Sequence, residues 1–174
     1  MRDGARHTVG VTCVDPDWSA TGALCVEHLA ELGHQDVAVF GEAPAVYERH
    51  SRCAKRTLDG LRSRAREPGL KVLRRPREGG YDATAVTPSR IFDERPRTTG
   101  FVMQNESAVE PLLAVSRRQG RAVPEDVSVV AVQASERLTS AAVPAQETGR
   151  HAVGLLMGEL DGAGRTARCS SHSN

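Results

Sequence analysis

A chain of 174 residues with 39% hydrophobic content is long enough to bury a substantial core, and one globular domain is the expectation. With a formal net charge of +1 and an aromatic content of 3%, nothing global points to a polyanion partner or to a platform for base stacking. No run reaches the roughly 18 consecutive apolar residues of a bilayer span, and Met1 to Val9 is polar where a secretion signal would carry an apolar stretch, so a cytoplasmic protein without a membrane partner is expected.

Strand-length apolar runs recur at Val9 to Val14, Asp36 to Phe40, Leu70 to Leu73, Gly100 to Met103 and Val127 to Val132, with helix-length stretches between them. Such alternation predicts parallel strands joined by crossover helices: an α/β fold with a doubly wound, mainly parallel sheet and helices on both faces. The first helix has Asp17 or Ser19 as cap, Leu24, Cys25, Leu29 and Leu32 along one side, and Gly33 as a left-handed stop. A long loop, Gly41 to His50, leads to a second helix over Ser51 to Arg66, closed by Pro68-Gly69. The third, Tyr81 to Asp93, contains Pro88, which is expected to bend or shorten it. A fourth runs from Glu106 to Gln119, with Pro111 early in it and Gly120 as its stop, and a fifth from Gln146 to Leu160. The polar tail after Leu160 has no periodicity and reads as disordered.

Cys13, Cys25, Cys53 and Cys169 lie far apart with no C-x-x-C pair, the pattern of independent reduced thiols. Cys25 and His28 supply two ligands at i, i+3 where a structural zinc needs four, so neither a metal nor another cofactor is expected. Between His50 and Arg77 ten Lys/Arg stand against Asp59 and Glu67, a local net charge of +8. This reads as a solvated helix face and an exposed edge, since no aromatics interleave to favour nucleic acid.

In a doubly wound sheet, ligands collect beyond the carboxyl ends of the strands. Those ends carry the loop Gly41 to His50 leading to Cys53 and Thr57, then Glu78-Gly79-Gly80-Tyr81, Gln104-Asn105-Glu106, and Gln133. Polar groups that donate and accept, with one ring, suit a small polyol or nucleoside-like solute.

The chain resembles the LacI/GalR-type bacterial transcription regulators from about Val14 to Gly162. The matching pieces are Val14-x-x-Asp17, Val26-Glu27-His28-Leu29-Ala30-Glu31-Leu32-Gly33-His34 with the strand Val37 to Phe40, Gly60-Leu61, Glu78-Gly79-Gly80-Tyr81, Asn105-x-x-Ala108, Gly120-x-x-Val123-Pro124-Glu125-Asp126-Val127-Ser128-Val129-Val130, and Leu138-Thr139-Ser140 with Val143-Pro144 and Gly149. Each is weak alone; the ordered set with family-like spacing is specific. The resemblance implies a periplasmic-binding-protein-like type I fold with two lobes, a sugar or nucleoside-like effector bound between them, a homodimer in the full-length regulator, and operator DNA held only by a helix-turn-helix headpiece that this sequence lacks. Residues 17–140 would form the distal lobe, 1–16 and 141–162 crossover arms of a mostly absent proximal lobe, and 163–174 a disordered tail.

By the same likeness Tyr81 stacks a ring on the effector, Asn105 hydrogen-bonds it, and Cys53, Thr57 and Gln133 line its pocket. Other readings of these residues stay open: Tyr81 as a half-buried anchor, Asn105 as a helix cap, Cys53 as a small core residue. Two departures bear on the effector. Thr57 stands where the family carries an arginine three residues before its glycine, with Arg56 one step aside, and Gln133 stands where a carboxylate is usual. The competing functions are a solute-binding protein of a sugar transport system and an inactive truncated remnant. An enzyme or phosphoacceptor on a flavodoxin-like sheet is disfavoured, because the third strand ends in Leu73-Arg74-Arg75 without an acceptor Asp and no G-x-G-x-x-G or P-loop occurs.

Overall fold

The computed structural model describes residues 13–66, 69–75, 81–133, 138–141 and 143–161, the side chains of 81–86 excepted. The chain divides into two compact units, Trp18–Val143 and Met1–Asp17 with Pro144–Asn174. In the first, the order is α1 (Trp18–Glu31), β1 (Asp36–Phe40), α2 (Pro44–Glu48), α3 (Arg52–Arg66), β2 (Lys71–Arg75), α4 (Tyr81–Glu94), β3 (Gly100–Met103), a 3-10 turn (Glu106–Ala108), α5 (Val109–Arg118), β4 (Ser128–Ala131) and β5 (Thr139–Ser140); α6 (Ala145–Leu160) belongs to the second. All five strands are parallel, in the order β2-β1-β3-β4-β5.

Parallel central strands bury both faces, and their alternate side chains go to opposite sides. Val37 and Val39 of β1, Val102 of β3 and Val130 of β4 pack with Cys25, Val26 and Leu29 of α1 and Leu58 and Leu61 of α3. Ala38, Phe40, Phe101, Met103 and Val129 pack on the other face with Ile91 and Phe92 of α4 and Leu112 and Val115 of α5. Phe101 anchors that second layer, its ring centroid 5.4 Å from Phe92 and 6.1 Å from Phe40. The doubly wound, two-faced sheet is therefore what the sequence implied.

Helices α1 and α3 meet backbone to backbone. A Cβ on Gly22 would lie 2.1 Å from the Thr57 carbonyl oxygen, and one on Gly60 would lie 1.9 Å from that of Ser19. This crossing rotates α1 relative to expectation. Its buried residues are Thr21, Gly22, Cys25, Val26 and Leu29, whereas Leu24 is exposed and Leu32 lies beyond the helix end, also exposed. Gly33 does stop α1, at φ +86°, and Gly120 follows α5 at φ +69°.

Other differences have local causes. The loop after β1 holds the short helix α2, begun by Pro44 at its first position. Strand β2 runs on through Arg74 and Arg75, whose charge ends the apolar run but not the ladder. Helix α4 keeps Pro88 within its span and is not shortened by it. Pro111 falls in the first turn of α5, where backbone N–H groups have no intrahelical acceptor, so it removes nothing the helix uses. The first expected strand lies mostly outside the described residues, and its last two positions, Cys13 and Val14, are not in a strand; the tail beyond Asp161 also lies outside them. Within α6, Val153, Leu156, Met157 and Leu160 are exposed. The cationic run of α3 is mostly solvated, with Arg64 paired to Glu27 at 2.7 Å.

Gly60→Ala is expected to destabilise the chain by about 3 kcal/mol, read as a lower urea midpoint, because the added methyl forces the two backbones apart; an unchanged midpoint would show that the crossing is loose. Burial raises the Cys25 thiol from its ordinary 9.0 to about 12. The unfolded thiol ionises first as pH rises, so stability is intact below pH 9 and falls by up to about 1.4 kcal/mol per unit toward pH 12. That decline should be shallower in Cys25→Ala, and in the native chain alkylation at pH 8 should modify exposed Cys53 but spare Cys25 until denaturant is added. Burial, with His28 adding to it, lowers the His34 pKa from 6.5. Stability should therefore fall as pH drops below 6.5, because the unfolded imidazole takes up its proton first; urea midpoints measured from pH 5 to 8 in native and His34→Gln chains read that slope.

Candidate functional site

The strands end in register. Phe40 pairs with Met103 and Met103 with Ala131, so Glu42, Asn105 and Gln133, each two residues further on, stand in a row beyond the carboxyl ends of β1, β3 and β4. The Val132 N–H donates to the Met103 carbonyl at 3.0 Å and the Gln104 N–H to that of Phe40 at 2.9 Å, which carries the alignment past the strands themselves.

Asn105 sits at the centre of the row. Its Oδ1 accepts from the Ser107 backbone N–H at 2.9 Å and from the Ser107 hydroxyl, capping the 3-10 turn as its residue type favours. Its Nδ2 donates to a Glu42 carboxylate oxygen at 3.0 Å, joining the β3 end to the loop after β1. Gln133 is exposed at the β4 end. Tyr81 is the first residue of α4, and its side chain lies outside the described set.

The two residues from α3 differ from each other. Cys53 is exposed in the first turn, its Sγ 3.1 Å from the Ser51 hydroxyl, and so is not the core residue that small cysteines usually are. Thr57 is 1% exposed and its hydroxyl donates to the Cys53 carbonyl at 2.9 Å, so that group is turned onto its own helix.

A second set of residues, of which the sequence pointed to Gln104 and the loop Gly41 to His50 but not to Tyr47 by itself, ties these pieces together. Buried Gln104 donates from Nε2 to the Ala54 carbonyl of α3 at 3.2 Å, and its Oε1 accepts from the Tyr47 hydroxyl of α2 at 2.8 Å. That hydroxyl accepts in turn from the Glu42 N–H at 3.1 Å. Gly41 leaves room for it: a Cβ there would lie 2.8 Å from the hydroxyl oxygen. The ring of Tyr47 also carries the Arg74 guanidinium, Cζ 4.7 Å from the centroid. The one available signal was the run Gln104-Asn105 after an apolar strand; nothing local marks Tyr47 as its partner.

A row of amides and one carboxylate, donors and acceptors together, can hold a hydroxylated solute. It lacks the nucleophile and paired base of covalent catalysis among the described residues. Among the described residues no group of three or more His, Cys, Asp or Glu side chains gathers to hold a metal, and no helix is long and apolar enough to cross a membrane.

The family described as the periplasmic binding protein-like domain matches residues 26–172. The arabinose metabolism transcriptional repressor of Geobacillus stearothermophilus is 29% identical over 168 residues, covering 86% of this chain but 43% of the repressor, so the chain spans less than half the length of that relative. Among solved structures, a LacI family transcriptional regulator from Arthrobacter sp. FB24 in complex with lactose superposes with a TM-score of 0.68 at 25% identity, over 86% of this chain and 57% of that one. A LacI family regulator from Clostridium acetobutylicum reaches a TM-score of 0.75 at 12% identity, over 94% and 63%. Parallel sheet and matched span agree: the chain belongs to the periplasmic binding protein-like domain family.

Proposed function

We propose that this chain senses a small hydroxylated effector, of the sugar class, for a LacI-type transcription regulator, and that Trp18–Val143 is the distal lobe of its effector cleft. The observation that carries the reading is the row of Glu42, Asn105 and Gln133 beyond three adjacent parallel strands, where this architecture gathers ligands. The lactose complex of the Arthrobacter regulator and the arabinose repressor relative support the sugar class. On this reading Asn105 and Gln133 hydrogen-bond the solute, Tyr81 offers its ring and Cys53 flanks the pocket, while Thr57 holds the first turn of α3. In the complete regulator, paired as a homodimer, effector binding changes affinity for operator DNA, and by linkage the DNA changes affinity for the effector by the same factor.

The test is a thermal-shift screen of the purified chain against pentoses, hexoses, disaccharides and nucleosides. A ligand at 100 times its Kd stabilises by about 2.7 kcal/mol, which raises Tm by about 5 to 10 °C in a chain of this size. At least one sugar is expected to do so, with Asn105→Ala weakening it about tenfold through the lost hydrogen bond. A screen in which no sugar moves Tm would overturn the reading.

A further inference from the structure

Four arginines among the described residues are half-buried: Arg64, Arg74, Arg75 and Arg121. Three have their acceptors. Arg64 pairs with Glu27, Arg75 with Glu94, and Arg121 donates to the carbonyls of Pro96 and Thr98. Arg74 has the ring of Tyr47 beneath it but no carboxylate within ion-pair distance among the described residues, and its Nε is buried without a hydrogen-bond partner. A guanidinium carries five N–H donors in a planar fork, and leaving one of them desolvated and unmatched is costly. Stacking on a tyrosine face offsets part of that cost and fixes the plane, but supplies no acceptor.

The position gives the vacancy a meaning. Arg74 pairs in register with Val39, one residue before the end of β2, and the ring it rests on is held by its hydroxyl to Gln104 and Glu42 at the strand ends. A fork-shaped cation thus rests on the ring whose hydroxyl accepts from the Glu42 backbone N–H, the first member of the polar row. The row's own carboxylate, Glu42, is occupied by the Asn105 amide and makes no ion pair with Arg74. The two charges polarise the site: Glu42 repels an anion and accepts hydroxyls beside β3, whereas Arg74 attracts an anion beside β2.

We propose that the effector of this chain carries an anionic group, a carboxylate or phosphate on a sugar-like body, and that Arg74 binds that group while the hydroxyls face Glu42, Asn105 and Gln133. This rests on the sugar-sensing reading above and narrows it. Arg74 then provides from a strand the charge that Thr57 does not provide from α3. A planar, bidentate fork is the donor best matched to carboxylate and phosphate oxygens.

Matched probes test this on the 174-residue chain: glucose, glucuronate, gluconate and glucose 6-phosphate, with arabinose and arabinose 5-phosphate, each by thermal shift and titration calorimetry. At least one acid is expected to bind tenfold or more tightly than its neutral parent, and to weaken with added NaCl while the parent does not. Comparing the carboxylates with the phosphates identifies which anion is meant. Arg74→Gln should remove the advantage of the acid and leave any neutral binding in place, whereas Arg74→Lys, which keeps a cation over Tyr47 and so preserves the fold, should retain part of it. Neutral sugars binding as tightly as the acids, or an acid binding Arg74→Gln as tightly as the native chain, would overturn the proposal while leaving sugar sensing intact. Silence from every sugar, charged or neutral, would overturn both.

Discussion

The architecture of the larger unit depends on two glycines that face each other's helix. Gly22 of α1 lies against the carbonyl of Thr57, and Gly60 of α3 lies against that of Ser19, so each helix fills the notch that the other leaves. At that separation dispersion contacts between backbones replace the usual interdigitation of side chains. The close approach also determines which side of α1 faces inward, and it lowers α3 onto the sheet so that Leu58 and Leu61 reach Val39 and Val102. Since α3 begins at the strand ends, the same crossing sets the height of its first turn above them.

From there the constraint passes to the site through one amide. Gln104 is buried, and burying an amide is unfavourable unless both ends are matched. The Ala54 carbonyl and the Tyr47 hydroxyl match them, bringing together the start of α3, the helix α2 and the end of β3. Gly41 differs from the other two glycines in that a Cβ there would crowd a side-chain hydroxyl and not a backbone carbonyl, so the Tyr47 ring would have to shift to admit it. The loop after β1 is therefore seated by specific hydrogen bonds instead of by apolar packing alone, which leaves Glu42 and Asn105 free to meet at the rim.

How much of this could be read beforehand depends on the range of the interaction. Strands β1 and β3 were legible residue for residue because uninterrupted apolar runs bounded by turn residues reflect burial on both faces. β2 was cut short in the reading because an edge strand tolerates Arg74 and Arg75, and β5 was missed because two residues carry no periodicity. The face of α1 was misjudged for a tertiary reason: Leu24 and Leu32 look like core, but the helix turns toward the residue that lets α3 come closest. At the site, Asn105 and Gln133 were legible as polar residues directly after apolar strands. The Tyr47 to Gln104 bond spans 57 positions and leaves no local trace, and Cys53 and Thr57 share one face of α3 a turn apart, so the exposure of the first and the closure of the second follow from how far along the helix the packing begins, not from residue type.

The two outer strands of the sheet are unlike each other, and the difference bears on how concentrated solutions of this protein behave. A parallel sheet presents at each margin a ladder of unmatched backbone groups that can recruit a strand from another molecule and begin a fibril. Among the described residues β2, at one margin, carries Lys71, Arg74 and a Glu94-paired Arg75 in five residues, so a like strand approaching it meets cations; β5, at the other, spans Thr139 and Ser140. Electrostatic repulsion guards one flank and brevity the other. Removing the cations of β2 would thus weaken the repulsion that guards that flank.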